Sequence, residues 1–322
     1  MSVAAYTFDP VGNRLSANST LSAVKSGSFG YNADDEVSSE TYDANGNTTY
    51  TGGKTFTYDS ENHMTSMTAN GTTVAMVYDA FGNRVGKTVN GVTTWYLVED
   101  DVNPTGLPQV LEEKVGGAVQ RVYTYGLQRI SEDQVINGAW TVSFYGYDGA
   151  GSVRQLTNSA GVVTDEYEYE YDAYGNSFTK QGTTPNNYLY RGEQYDPDLG
   201  LYYLRARYYN PATGRFMSRD PKDGNAIDPQ SLHKYLYAGG DPVNRIDPLG
   251  SEDYEFELAE EPEEAKSITL LGRTVQKDYL CYGLYLASIE ACSAFDSGED
   301  YGACISLAQL NFLRCIDGLP PA

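Results

Sequence analysis

The residues of this chain best suited to covalent chemistry are its four cysteines, Cys281, Cys292, Cys304 and Cys315, all within the last 42 residues. Their separations are 11, 12 and 11 residues. Eleven residues are almost three helical turns, so Cys281 and Cys292 share one helix face, and Cys304 and Cys315 share another. Leu284, Tyr285, Ser288 and Ile289 line the first face, and Leu307, Ala308, Asn311 and Phe312 the second. Asp278 and Asp300 stand at N-cap positions, and Asp296-Ser297-Gly298 marks a loop between the helices. An antiparallel helical hairpin sets Cys292 opposite Cys304 and Cys281 opposite Cys315, the connectivity that geometry favours among three. Four buried free thiols are the competing account. A zinc site lacks the close Cys-x-x-Cys spacing it needs, and the tail has no His. Two disulfides imply an oxidising destination, outside the cell or at its surface.

Other chemistry is sparse. His63 and His233 lie far apart without a recognisable Ser or Cys partner motif and read as turn or surface residues. The Gly-rich Val115–Ala118 lacks the lysine and hydroxyl of a phosphate loop. Eight carboxylates crowd Ser251–Glu264, which reads as a solvated, self-repelling linker; the Gly-punctuated ligand spacing of a calcium loop is missing. The chain sets 44 acidic residues against 22 Lys and Arg, a formal charge of −22. Such a molecule repels phosphate backbones and anionic headgroups, which argues against nucleic acid as a partner. No stretch approaches the roughly 20 apolar residues of a membrane helix, so no membrane insertion is expected. Neither a metal nor a cofactor is expected.

The elements that must carry these residues are set by repetition. Tyr42–Asn47, Tyr78–Asn83 and Tyr171–Asn176 each read Tyr-Asp-x-x-Gly-Asn, with degenerate copies at Phe8–Asn13 and Tyr147–Ser152. Asp can bond the backbone ahead of it and Gly accepts positive φ, so the phrase is a turn. The segments between phrases, such as Gly71–Tyr78, are β-branched and aromatic, so the unit is strand, tight turn, strand. A unit that small cannot bury its own apolar face and must stack on its neighbours. The 29 tyrosines suit such thin β-structure, because a ring can pack while its hydroxyl reaches water or backbone. The N-terminus lacks the charged start and apolar core of a signal peptide and enters a repeat phrase without a capping segment. It reads as the C-terminal end of a longer shell, or a shortened relative of one.

These phrases resemble the YD-repeat, or Rhs, family, and the run Tyr188–Pro221 resembles its Rhs-associated core signature, closed by Asp247-Pro248-Leu249-Gly250. The resemblance covers about residues 6 to 250. It implies an all-β repeat shell over 1–185 and an associated core, or plug, over 186–250. After these come the acidic linker 251–278 and the disulfide-linked α-helical hairpin 279–322. It also implies a polymorphic-toxin-type shell that encloses or presents a variable C-terminal segment. Its partners would be an immunity-type protein or an upstream shell or delivery component. The alternatives are a teneurin-like surface adhesion scaffold without cleavage and an inactive remnant.

Some relatives of this kind cut themselves after the Asp-Pro-x-Gly element with carboxylates. By that resemblance the catalytic positions are Asp220, Asp247 and Arg207, and the cleavage site is Gly250–Ser251. Two carboxylates sharing a proton would activate water and a fixed guanidinium would polarise the peptide carbonyl. Ser251 stands where the family commonly has a bulky apolar residue, which predicts slow cutting. Six of the 13 prolines follow Asp, so both aspartates also qualify as turn formers. The tail after Gly250 has 14 acidic and 4 basic residues and no His, a poor nuclease composition.

Overall fold

The Tyr-Asp phrase folds as a closed six-residue turn. In Tyr42–Asn47 one Asp43 carboxylate oxygen accepts the N–H groups of Asn45 and Asn47, each at 2.9 Å, and the other accepts the Asn47 side-chain amide at 2.9 Å. The Asp43 N–H donates to the Asn47 carbonyl and the Gly46 N–H to the Asp43 carbonyl, both at 3.0 Å. A single carboxylate therefore satisfies donors that a tight bend would strand. Gly46, Gly82 and Gly175 hold φ of +82°, +83° and +87°, as the turn reading requires. Three further turns close the same way without the Gly-Asn signature: Tyr31–Glu36, Tyr58–His63 and Thr157–Val162. In the first two, Asp35 and Asn62 take the left-handed position that Gly fills elsewhere.

The tyrosine hydroxyls join one turn to another. Tyr58 donates to the carbonyl of Thr48 at 3.0 Å, Tyr78 to Met64 at 2.8 Å, Tyr31 to Arg14 at 2.8 Å and Tyr171 to Val153 at 3.2 Å. Each acceptor is the residue directly after an earlier turn.

The computed structural model describes residues 4–20, 24, 26–166, 171–176, 181–225, 227 and 229–251, and in the tail 254–255, 269–270 and 273–274. Strands β1 (Ala4–Phe8), β2 (Arg14–Ser19) and β3 (Gly27–Ser28) form a small sheet. A thirteen-stranded antiparallel meander follows: β4 (Thr41–Tyr42), β5 (Thr48–Thr51), β6 (Lys54–Tyr58), β7 (Met64–Ala69), β8 (Thr72–Tyr78), β9 (Arg84–Val89), β10 (Val92–Glu99), β11 (Gln109–Val115), β12 (Ala118–Tyr125), β13 (Arg129–Ile136), β14 (Ala139–Tyr147), β15 (Val153–Thr157) and β16 (Val163–Glu166). One margin of the meander turns at Gly52-Gly53, Asn70-Gly71, Asn90-Gly91, Gly116-Gly117 and Asn137-Gly138. Both residues of each pair have φ between 48° and 88°, the signature of type I′ hairpins. Along the other margin, register shifts fall just before Tyr42, Tyr58, Tyr78 and Tyr147, so each of these Tyr-Asp turns opens on a β-bulge.

The plug contributes a four-stranded sheet, β17 (Gln194–Asp196), β18 (Leu201–Leu204), β19 (Arg207–Asn210) and β20 (Arg215–Phe216). Leu199, Leu201, Tyr208 and Met217 pack on Phe56, Met64, Met67, Val74 and Met76 of the meander. Repeat segment and plug thus share a core within one compact unit, Met1–Asp100 with Leu107–Leu258. The Tyr-Asp turns converge on the plug. Tyr235 donates to the Gly46 carbonyl at 2.8 Å, Tyr202 to Gly175 at 3.1 Å, Tyr209 to Tyr174 at 2.7 Å and Arg191 to Ala150 at 2.9 Å. Buried Asp196 bonds Lys87 at 2.6 Å and pairs with Arg84, whose second amino group donates to Gln194 at 2.7 Å.

The all-β reading holds for the described repeat and plug. Inside the run read as an acidic linker, β22 (Tyr254–Glu255) pairs with β21 (Arg245–Ile246). A second unit comprises Asp101–Gly106 and Ala259–Ala322, in which β23 (Thr269–Leu270) pairs with β24 (Arg273–Thr274). The helical hairpin 279–322 and its four cysteines lie outside the described residues. No helix among the described residues is long and apolar enough to cross a membrane.

Candidate active site

Arg207 opens β19 and lies almost fully buried, its guanidinium carbon 3.6 Å from the Phe216 ring centre. Stacking on the ring fixes the plane of the fork. Its Nε donates to the Gly250 carbonyl, one Nη to the Lys234 carbonyl at 3.1 Å and the other to Asp220 at 2.7 Å. That last nitrogen also lies 3.6 Å from Asp247. The side chain of Asp247 is 1% exposed and that of Asp220 is 20% exposed. Arg207, Asp220, Asp247 and the Gly250–Ser251 peptide, separated by up to 44 positions in sequence, therefore meet at one guanidinium.

The Asp247–Ser251 segment is itself a copy of the repeat turn. The Ser251 N–H donates to the Asp247 carboxylate at 2.9 Å, the Gly250 N–H to the Asp247 carbonyl at 3.3 Å, and Gly250 has φ of +71°. Asp148–Ser152 makes the same bonds at 2.9 and 3.0 Å with Gly151 at +81°. What differs is the partner of the glycine carbonyl. Tyr hydroxyls hold those of Gly46 and Gly175, whereas a guanidinium that also carries a carboxylate holds that of Gly250. A cation stabilises charge developing on that oxygen far better than a neutral hydroxyl does. Gly250 also cannot be replaced without displacing backbone, because a Cβ there would strike the Leu204 carbonyl.

A second arginine attends the same segment. Arg205, in the tight β18–β19 turn with φ of +57°, bonds both Glu193 carboxylate oxygens, at 2.9 and 3.1 Å. It also donates to the carbonyls of Pro108, at 3.2 Å, and Pro248. Ala206 donates its N–H to the Leu249 carbonyl at 3.1 Å. Sequence reading passes over Arg205, Glu193 and Phe216. The alternation Arg205-Ala206-Arg207 is the one local hint, and the carboxylate that binds Arg205 is visible only in three dimensions. A cavity of about 10 Å³, room for about one water, opens beside the site between His63, Arg205, Arg207 and Ser218.

His63 closes a Tyr-Asp turn, as its sequence reading holds. His233 departs from it, because it is buried in the plug. Its Nδ1 accepts the Tyr235 N–H at 3.1 Å, which leaves the proton on Nε2 to donate to Asn13 at 2.8 Å. Burial, with Arg215 nearby, lowers its pKa to about 4. No cluster of groups able to hold a metal ion occurs among the described residues.

The teneurin YD-shell family model matches residues 2–243. The tRNA3(Ser)-specific nuclease WapA of Bacillus spizizenii is 36% identical over 261 residues, covering 76% of this chain and 11% of that protein. The probable deoxyribonuclease RhsB of Dickeya dadantii is 28% identical, covering 61% of this chain and 13% of that protein. The crystal structure of TcdB2-TccC3 superposes with a TM-score of 0.60 at 20% identity, covering 77% of this chain and 13% of that one. The chain spans about a tenth of the length of these curated relatives.

Proposed function

Since the chain belongs to the teneurin YD-shell family, we propose that it is a plugged segment of a YD-repeat β-shell that presents its C-terminal segment for release. In this reading Arg207, Asp220 and Asp247 cut the Gly250–Ser251 bond. The observation that carries the proposal is the Arg207 Nε–H on the Gly250 carbonyl, with Asp220 on the same guanidinium. Water adds to the Gly250 carbonyl carbon, and Asp220, the more exposed carboxylate, takes its proton. Arg207 meets the charge that develops on the carbonyl oxygen. A proton carried by the carboxyl pair passes to the Ser251 nitrogen as the C–N bond breaks; in the resting turn the Asp247 carboxylate accepts the Ser251 N–H and so already touches that nitrogen. One water yields a Gly250 carboxyl and a Ser251 amine, and the two carboxylates begin the step with one proton between them.

The relatives named as nucleases do not extend that activity to this tail, whose 14 acidic and 4 basic residues repel a phosphate backbone. The partners consistent with the reading are an immunity-type protein and an upstream shell or delivery component, and the destination is the cell surface or beyond. The test is the intact mass of purified chain kept at neutral pH, because acid alone can break Asp247-Pro248. Two fragments meeting at Gly250–Ser251 in the wild type, and a whole Asp220→Asn chain, support the reading. A wild-type chain that stays whole would leave a teneurin-like scaffold.

A further inference from the structure

We infer that Arg205, braced by Glu193, is a positioning residue that seats the Asp247–Ser251 turn against Arg207; this rests on the cleavage reading above. Arg207 alone cannot define where the Gly250 carbonyl lies, because the plug meets the turn Asp247–Ser251 through several contacts. Arg205 supplies a second fixed point two residues upstream, its Nη1 donating to the Pro248 carbonyl. Both Glu193 oxygens accept from that same nitrogen, so it is tied to the plug while it grips the turn. Its Nε holds the Pro108 carbonyl, immediately before β11, so one side chain joins meander, plug and scissile turn. The backbone bond from Ala206 to Leu249 lies between the two arginines and completes the clamp.

The conformation of Arg205 supports a role beyond turn formation. A non-Gly residue at φ +57° is strained, and Gly or Asn would satisfy the bend more easily. Arginine at this position sacrifices backbone comfort for its side chain. A displacement of the carbonyl by about 1 Å is enough to cost on the order of a hundredfold in rate, so a loosened clamp should be visible in cutting.

The test has two arms. In the first, cutting of the full chain is followed from synthesis by pulse labelling. Arg205→Asn, which suits the left-handed bend, and Glu193→Gln should each slow cutting about tenfold or more. Arg205→Lys should recover part of that loss, since an ammonium can still bond Pro248 and pair with Glu193. In the second arm, hydrogen exchange is measured in an Asp220→Asn background, which keeps the tail attached. There Arg205→Asn should speed exchange at the Ala206 and Ser251 amides at least about tenfold while leaving β6–β9 amides and the unfolding midpoint near their starting values. Unchanged exchange at Ala206 and Ser251 overturns the clamp whatever cutting does. A wild-type chain that is never cut overturns the cleavage reading and with it the purpose of the clamp, whereas cutting that ignores Arg205 and Glu193 overturns the positioning role alone.

Discussion

Asp247 makes the same bond to a backbone N–H four residues ahead that Asp43, Asp79 and Asp148 make, so this bond marks a turn and not a catalyst. The prediction is a single cut, at Gly250–Ser251, with none at Gly46, Gly82 or Gly151, whose turns lack Arg207 and Asp220. Asp220→Asn should reduce cutting about a hundredfold or more, and Arg207→Ala by a similar order, both read from the fraction of intact chain by mass. Two other buried groups contribute to the acid response in opposite directions. His233 has a folded pKa of about 4 against an ordinary imidazole value of 6.5, so its contribution is present above pH 6.5 and lost as pH falls toward 4. Glu132, fully buried, is pushed up by burial to about 7 from an ordinary 4.5, only partly offset by Arg121 and Tyr145, so its contribution is present below pH 4.5 and lost as pH rises through 7. Each amounts to about 3 kcal/mol at most, and across pH 4.5–6.5 the two slopes oppose. Glu132→Gln should therefore lose more stability than wild type between pH 7 and pH 4.5, measured by urea unfolding at each pH.

At the scale of the element, the Tyr-Asp turn is held by its carboxylate, its left-handed residue and the next tyrosine hydroxyl. Tyr78→Phe removes the donor to the Met64 carbonyl and should cost about 1 kcal/mol in urea unfolding. Glycines should rank by surroundings. A Cβ at Gly175 would stand 2.7 Å from the Tyr190 ring, whereas one at Gly71 in the type I′ hairpin would meet no atom within 4 Å. Gly71→Ala should cost about 1–2 kcal/mol, the left-handed penalty alone. Gly175→Ala should cost more, because it also pushes on the plug; equal losses would mean that the turns are not packed against the plug.

The whole molecule depends on the plug staying seated in the meander. Asp196 neutralises Arg84 and Lys87 at that junction. Burial alone would raise its pKa, but the two cations more than offset this and hold it below the usual carboxylate range. Asp196→Ala takes the carboxylate from buried Arg84 and leaves Lys87 with Asp198 alone, and should cost about 3–5 kcal/mol. Limited proteolysis should then open residues 186–250 before the meander. Loss of the plug would also stop cutting, since Arg207 and Asp220 belong to it and the scissile turn packs on it.

The amino-acid sequence was enough for the all-β class and for the turns with Asp, Gly and Asn in their places; it also nominated the trio Arg207, Asp220 and Asp247, which the fold brings to one guanidinium. The class and the turns rest on local chemistry, because a carboxylate that bonds the next few N–H groups, or a Gly that must hold positive φ, needs no distant partner. The trio was legible through the family's core signature, which lies in one ordered run of residues. The Asn-Gly and Gly-Gly hairpins at residues 52, 70, 90, 116 and 137 follow from the same local rule as the turns. Turns such as Tyr58–His63 were not legible, because Asn62 and His63 reach the shape without the expected letters. Three things came only with the tertiary structure: that His233 is buried, that Arg205 binds a carboxylate twelve residues earlier and a carbonyl 43 residues later, and that a guanidinium holds the glycine carbonyl of the Asp247 turn. These depend on which strands the meander sets beside the plug. Long-range juxtaposition arises from the burial of Phe56, Met67, Leu199 and Tyr208 together, and no spacing within the chain encodes it.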